Sequence, residues 1–113
     1  MSDCVFCKIV AGEIPAEVVD ETETTFAFRD ASPAAPTHVL VVPRTHYRNA
    51  AELAVSEPDT LAQLVRIAHE IAEAEGIADG YRLVFNTGAR AQQSVFHAHV
   101  HVLGGRELSW PPG

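Results

Sequence analysis

Three histidines alternate with apolar residues in the stretch FHAHVHVLGG, from Phe96 to Gly105. Successive side chains of a β-strand point to opposite faces of a sheet, so this alternation predicts a strand with its imidazoles on one face. The opposite face is expected to pack in the core and carries Phe96, Ala98, Val100 and Val102. Any fold for this chain must therefore leave room beside one strand for a row formed by His97, His99 and His101.

The row of histidines favours chemistry at a phosphorus atom over one shared metal ion. Same-face residues of a strand lie about 6.6–6.8 Å apart, so the two outer imidazoles are about 13 Å apart. One zinc ion, with bonds of about 2.0 Å to nitrogen, cannot reach all three, although two neighbours could share a metal. A neutral imidazole is a nucleophile near pH 7 and its protonated form is an acid, which makes the central His99 the natural nucleophile. The alternative is a chance alternation on a solvated sheet face.

The composition bounds the class of protein. The chain has 113 residues, of which 47% are hydrophobic and 20% charged, and this is typical of one folded domain spanning residues 1–113. A formal net charge of −7, with scattered Lys and Arg, argues against a nucleic-acid partner. Apolar runs such as Val39–Val42 are far shorter than the ~20 residues of a membrane span, and the first residues do not resemble a secretory signal. We therefore expect no membrane segment and a cytoplasmic location.

Turn residues divide the chain into five expected strands of a mainly antiparallel sheet. The strands are expected near Glu17–Asp20, Thr25–Arg29, His38–Val42, Tyr81–Asn86 and Val95–Leu103. Apolar residues at helical spacing predict one long helix over Leu61–Glu75, with Ser56 as the cap ahead of Pro58 and Gly76 at its end. A short N-terminal helix is expected over Cys7–Gly12. Together these elements predict an α+β fold.

Two cysteines, Cys4 and Cys7, form a C-x-x-C pair. In a reducing compartment such a pair supplies metal ligands or redox thiols more often than a structural disulfide. Two thiolates are half of a tetrahedral zinc site, so two more ligands are needed. A redox pair and two small buried apolar side chains are the alternatives.

The run HAHVHVL, from His97 to Leu103, resembles the H-φ-H-φ-H-φ-φ pattern of the histidine triad (HIT) superfamily. Further stretches are similar to its Hint branch, the purine nucleoside phosphoramidases: FCKIVAGEIPAE, FRDASPAAPTHVLVVPRTHY and QSVFHAHVHVLGGRELSWPPG. This resemblance covers nearly the whole chain and implies a HIT-like fold and a homodimer. It also implies a hydrolase that cleaves phosphoramidate or related mixed-anhydride bonds of AMP or GMP derivatives.

The resemblance implies a covalent mechanism centred on His99. This residue would attack the α-phosphorus and form a nucleotidyl-histidine, which water then hydrolyses. His101 would lie near the leaving group, and Ser94 would hydrogen-bond near the scissile bond. His38 would join the network that orients the triad, of which His97 is the first member.

The resemblance also implies a nucleotide pocket. Asp30 would accept hydrogen bonds from the ribose hydroxyls and Asn86 would contact the phosphate or ribose, although both are typical turn residues from sequence alone. Trp110, in a proline-rich tail, would shape the partner subunit's site or pack on its own domain. The expected walls of the base pocket are Phe6, Ile9 and Phe28.

Some members of the superfamily that keep the paired cysteines bind a structural zinc. For this chain the resemblance implies the ligand set Cys4, Cys7, His46 and His97. A zinc ligand at His97 could not act as an acid, but it would still hold His99 from one side.

One loop departs from the Hint pattern. The run ARAQQS precedes the triad where a glycine-rich stretch is usual, so Ala91 and Gln92 stand where small residues would let backbone amides approach a phosphate. Two other functions therefore stay open. One is hydrolysis of dinucleoside polyphosphates, and the other is a nucleotide-binding or zinc-binding interaction module with incidental catalysis.

Overall fold

The computed structural model describes residues 3–113, and its centre is a five-stranded sheet of order β1-β2-β3-β5-β4. The strands are β1 Val18–Glu21, β2 Thr25–Arg29, β3 Thr37–Pro43, β4 Tyr81–Val84 and β5 Val100–Gly104. The helices are α1 Val5–Val10, α2 Ala50–Ser56 and α3 Pro58–Ala74, with one 3-10 turn at Ala89–Ala91. All neighbouring strands pair antiparallel. The α+β fold expected from the sequence is confirmed, and β1 and β4 lie within a residue or two of their expected positions.

Both faces of the sheet are buried, each under a different helix. On one face α3 packs its apolar side, including Leu64 and Ile67, against alternate residues of β3 and β5. On the other face α1 packs Phe6 and Ile9 against a second apolar cluster of Phe26, Phe28, Leu40 and Val42. Strand β3 is buried along its whole length because its alternate side chains enter both cores. The face under α1 is the one that carries the histidines.

The last strand is shorter than expected, since β5 begins at Val100 and not at Val95. Before Val100, a side chain takes the place of the backbone hydrogen bonds between this segment and β3. The Nε2–H of His97 donates to the Pro43 carbonyl at 2.8 Å. Pro43 in turn has no N–H to offer a ladder partner. His97 and His99 therefore lie on an irregular segment ahead of the strand, and of the three histidines only His101 lies within β5.

The prediction that alternate residues from Phe96 to Val102 face the core is confirmed except at Phe96. Ala98, Val100 and Val102 are buried against the α3 side of the sheet. Phe96 is 48% exposed. The alternation of faces requires a pleated strand, and the chain at Phe96 is not one.

The capping prediction for α3 is wrong. Ser56 is the last residue of α2, a short helix that the sequence reasoning did not foresee. Glu57 joins the two helices and accepts a hydrogen bond from the Thr60 hydroxyl at 2.7 Å, while Pro58 occupies the first turn of α3. Gly76 ends α3 as expected, with a positive φ of 76° that suits glycine.

The start of α1 is also corrected, from Cys7 to Val5. Cys4 caps this helix, because its sulfur accepts the N–H of Cys7 at 3.4 Å. A six-residue helix is too short to be stable alone, so α1 depends on its contacts with the sheet. None of the helices within residues 3–113 is long and apolar enough to cross a membrane.

Candidate functional site

A cavity of about 630 Å³ lies between α1, the α1 side of the sheet and the chain on either side of Val95. This volume is in the range of pockets that enclose one small organic ligand. Leu40 and Val95 add apolar walls that the sequence reasoning missed. Seven residues singled out in the sequence line the cavity: Phe6, Ile9, Phe28, Asp30, Ser94, His99 and His101.

Aromatic contacts fix the inner wall of this cavity. The ring of Phe6 meets Phe28 edge-on with centroids 5.4 Å apart, and it meets the imidazole of His99 in the same way at 5.0 Å. Edge-to-face pairs of this kind hold a ring in one orientation. Helix α1 thus brings an apolar surface directly against the central histidine.

The tautomer of His99 is fixed by a backbone carbonyl. Its Nδ1 lies 2.7 Å from the backbone carbonyl of His97, which can only accept, so Nδ1 carries the proton and Nε2 carries the lone pair. Burial lowers the pKa of His99, and the hydrogen bond to His97 and the charge of Asp30 oppose this only partly. The imidazole is therefore neutral at pH 7 and carries a lone pair on Nε2.

His38 and His101 form a chain of hydrogen bonds with fixed directions. The N–H of Ala34 donates to Nδ1 of His38 at 3.0 Å, so His38 carries its proton on Nε2. That Nε2 lies 2.9 Å from Nδ1 of His101, which must then accept. His101 consequently carries its proton on Nε2, where the side-chain amide of Asn86 lies 3.4 Å away and can turn its oxygen to the proton.

Burial keeps both of these imidazoles neutral. It lowers the pKa of His38, against a smaller opposing effect from the carboxylate of Asp30. It lowers the pKa of His101 to about 4, with further lowering from His99 and His38 and an opposing effect from Asp30. The arrangement can present an N–H donor at His101 beside an unprotonated nitrogen at His99, whose ring centroids are 5.0 Å apart.

The carboxylate of Asp30 closes this group on the β2 side. One oxygen accepts the N–H of Ser32 at 2.8 Å, and the other lies 3.4 Å from Nε2 of His38. The ligand atoms of Asp30, His38 and His101 lie within 4.8 Å of one another, close enough to share a metal ion. The hydrogen bond from the N–H of Ala34 argues against a metal here. It leaves the proton of His38 on Nε2, the nitrogen that faces Asp30 and His101, so this nitrogen has no lone pair for an ion.

A second cluster lies next to the cavity and has the geometry of a metal centre. Its ligand atoms, from Cys4, Cys7, His46 and His97, lie within 4.8 Å of one another. Nδ1 of His97 is 3.4 Å from the sulfur of Cys4, 3.5 Å from that of Cys7 and 3.2 Å from Nδ1 of His46. A tetrahedron with zinc bonds of about 2.0–2.3 Å has edges of about 3.3–3.8 Å. These separations fit a zinc ion at the centre of the four residues.

The tautomer of His97 suits a metal ligand. Because Nε2 donates to the Pro43 carbonyl, Nδ1 carries a lone pair and faces the two sulfurs. Burial lowers the pKa of His97 and keeps it neutral, as a metal ligand must be. The backbone carbonyl of the same residue accepts from Nδ1 of His99, so His97 joins the cluster of two cysteines and two histidines to the cavity.

Trp110 is not brought to the cavity of its own chain. Its ring is 80% exposed, and the guanidinium carbon of Arg82 lies 6.0 Å from the ring centroid. Ser94 is exposed at the rim of the cavity, at the end of the loop that carries Ala91 and Gln92. A buried glutamine in that loop, Gln93, went unnoticed in the sequence because a lone polar residue gives no periodic signal.

Comparison with known proteins gives consistent matches. A family model described as the HIT domain matches residues 11–108. The 14 kDa zinc-binding protein of Zea mays is 45% identical over 114 residues, covering 99% of this chain and 89% of that protein. A HIT family hydrolase from Legionella pneumophila superposes with a TM-score of 0.94 at 46% identity, covering 98% of this chain and 100% of the other. A HIT family hydrolase from Clostridium thermocellum superposes with a TM-score of 0.92 at 43% identity, covering 96% of each chain.

Proposed function

This chain belongs to the HIT domain family, and on that premise we propose that it hydrolyses a phosphoramidate or related mixed-anhydride bond of a purine nucleoside monophosphate. The observation that carries the proposal is that two imidazoles in one cavity differ in the protonation of Nε2. His99 offers a lone pair on Nε2, and His101 offers an N–H on its own Nε2. A reaction at phosphorus needs both, one to form the new bond and one to assist the leaving group.

In the first step the lone pair of His99 Nε2 forms a bond to the α-phosphorus. In the bound state the anionic phosphate raises the pKa of His101 and favours its doubly protonated form. The P–N bond breaks, its electron pair goes to the leaving nitrogen, and that nitrogen takes the Nε2 proton of the His101 imidazolium, which becomes a neutral imidazole. In the second step water attacks phosphorus, the electron pair of the histidine–phosphorus bond returns to His99, and the proton of the water restores His101.

The other cavity residues suit the parts of a nucleotide. Phe6, Ile9 and Phe28 offer an apolar slot for the flat base. The carboxylate of Asp30 has lone pairs left for the ribose hydroxyls, and the Ser94 hydroxyl stands at the rim near the scissile bond. Asn86 does not itself line the cavity, but it lies 3.4 Å from Nε2 of His101 and would act on the phosphate side.

We propose a structural zinc for the cluster of Cys4, Cys7, His46 and His97. The thiolate and imidazole donors and their spacing support this ion, and the maize relative carries zinc binding in its name. A zinc ion held by these four residues would cross-link the chain and would have no open position for substrate. The chain's own residues then do the chemistry in the neighbouring cavity.

A homodimer and a cytoplasmic location complete the proposal. The edge strand β4 and the exposed ring of Trp110 offer a surface on which a second copy can pack, with Trp110 reaching toward the partner's cavity. Light scattering should give twice the chain mass of 12.2 kDa. A mass of one chain would overturn the dimer.

The test of function is hydrolysis of adenosine 5′-phosphoramidate by the wild type and by His99→Ala. We expect AMP release by the wild type, and loss of turnover in the variant by about 10³-fold or more, because the nucleophile is absent. Binding of AMP, measured by calorimetry, should survive in the variant and shows that the cavity is intact. Faster hydrolysis of a dinucleoside polyphosphate than of the phosphoramidate would favour the alternative reaction, and binding without turnover would favour the interaction module.

A further inference from the structure

Gln93 closes the loop that precedes the histidines. Its backbone N–H donates to the carbonyl of Gly88 at 3.1 Å, and its side-chain oxygen accepts the N–H of Gly88 at 2.9 Å. The two residues thus bind each other in both directions and tie off residues 88–93 as a ring. Gln93 is only 3% exposed, although it lies in a polar loop.

The other end of the same side chain ties this loop to two further segments. Its amide nitrogen donates to the carbonyl of Arg48 at 2.8 Å and to that of Val95 at 3.2 Å. Arg48 follows the segment that carries His46, and Val95 begins the run into the histidines. The side-chain amide therefore uses its oxygen and both of its protons, and each bond goes to the backbone of a different segment.

The loop has little else to hold it. Gln93 is the one buried residue between positions 87 and 94. The backbone is also in an unfavourable shape, because Gln92 has a φ of 68°, a conformation that a residue with a side chain adopts only when its surroundings enforce it. The conformation of the loop therefore depends mainly on the hydrogen bonds of Gln93.

We propose that Gln93 is a positioning residue that fixes the loop of residues 88–94 against the cavity. Its three side-chain bonds set where Ser94 and the backbone amides of the loop stand relative to the nucleophilic nitrogen of His99. This inference rests on the proposed function, because it assigns the loop to the reacting phosphate. Gln93 itself touches none of the reacting atoms.

The test compares Gln93→Met with Gln63→Met. Methionine keeps the length of the side chain and removes all three hydrogen bonds. Gln63 lies on α3, on the other face of the sheet, so its variant makes the same chemical change away from the cavity. In single-turnover experiments with adenosine 5′-phosphoramidate, we expect Gln93→Met to lose about 10- to 100-fold in the rate of AMP formation, because a misplaced phosphate loses its alignment. Gln63→Met should keep the wild-type rate.

Affinity for adenosine separates positioning from general damage. Adenosine lacks the phosphate and uses the walls on α1 and β2, so its affinity should be the same in Gln93→Met and the wild type. A parallel loss of adenosine affinity and rate would show that Gln93 only supports the fold, and would overturn the inference. So would a full rate in Gln93→Met.

A second readout does not depend on turnover. Arg90 lies inside the loop and is exposed, so trypsin can cut there once the loop opens. We expect faster cleavage after Arg90 in Gln93→Met than in the wild type or in Gln63→Met, and equal cleavage would contradict the inference.

If Gln93→Met does not fold, amide exchange of Gly88 in the wild type decides: slow exchange supports the hydrogen bond from Gly88 to Gln93, and fast exchange overturns the inference. A wild type that releases no AMP would defeat the proposed function, while trypsin and amide exchange would still decide the role of Gln93.

Discussion

At the scale of single residues, the positions of a few imidazole protons decide what each histidine can do. A carbonyl partner places a proton on the nitrogen that faces it, as for His97 and His99, and a backbone N–H partner places a lone pair there, as for His38. The sequence predicts which histidines meet but not these assignments. The partners that decide them include Pro43 and Ala34, which are distant along the chain from the triad.

The low pKa of His101 is testable in the protein without ligand. The pKa of about 4, against 6.5 for an unperturbed imidazole, means that the unfolded chain binds more protons between these values. His101 therefore has no effect on stability above this window and opposes folding increasingly as the pH falls through it, so stability rises with pH across the window. In NMR titrations of labelled histidine, the signal of His101 is assigned by its absence from the spectrum of His101→Gln. The chemical shift of that signal should remain at the value of a neutral imidazole down to about pH 5. Titration of that signal near pH 6.5 would contradict the buried, neutral state.

At the scale of secondary-structure elements, α1 has two tasks. It brings Cys4 and Cys7 to the candidate zinc site with His46 and His97, and it brings Phe6 and Ile9 into the wall of the cavity. A helix of six residues has few contacts of its own, so a bound metal would hold both sets in place. The cysteine spacing in the sequence predicted a metal site, but its link to the cavity emerges only from the docking of the helix.

Removal of the proposed zinc should therefore weaken nucleotide binding. After treatment with a strong chelator, we expect the affinity for AMP to fall by about 5- to 150-fold, the range of typical coupling between two sites. Readdition of zinc should restore it, which controls for damage by the chelator. The variant Cys7→Ala should bind AMP at the weakened level with or without zinc. An unchanged affinity in the metal-free protein would show that α1 is held without the ion.

The C-terminal end of α3 is tied to the sheet by an ion pair. Both oxygens of Glu75 accept from the guanidinium of Arg29, at 3.1 Å and 2.9 Å, and one also accepts from the Thr37 hydroxyl. The Arg29 guanidinium lowers the pKa of Glu75, so this contact stabilises the fold above the usual pKa of a glutamate and loses its effect as the pH falls through the lowered value.

The change Glu75→Gln should lower the free energy of unfolding by about 1–2 kcal/mol at pH 7, because it removes a bidentate charged contact. The difference from the wild type should shrink as the solution becomes acidic enough to protonate Glu75. Glu73→Gln, on the exposed side of the same turn, is the matched control and should change stability little. Urea unfolding at pH 7 and at acidic pH measures both, and a loss that is the same at both would rule out the ion pair as its cause.

At the scale of the whole molecule, the sequence predicted the fold class and most of the elements, but only part of the geometry of the site. Alternation and turn residues predicted five strands and the long helix, because those signals are local. They overextended the last strand to Val95, since the competing bond from His97 to Pro43 joins distant parts of the chain. They also missed α2, although residues 49–52 carry a capping signal. The Asn49 side chain accepts the N–H of Glu52, and the Glu52 carboxylate accepts the N–H of Arg48.

The central claim is that His99 forms a covalent bond to phosphorus, and intact-protein mass spectrometry tests it most directly. The protein is mixed with adenosine 5′-phosphoramidate and quenched early under conditions that spare an acid-labile histidine–phosphorus bond. His99→Ala is treated in the same way. We predict a transient species heavier by one adenylyl group in the wild type alone, with AMP accumulating as it decays. AMP release at an undiminished rate by His99→Ala, or an adduct on that variant, would contradict the account.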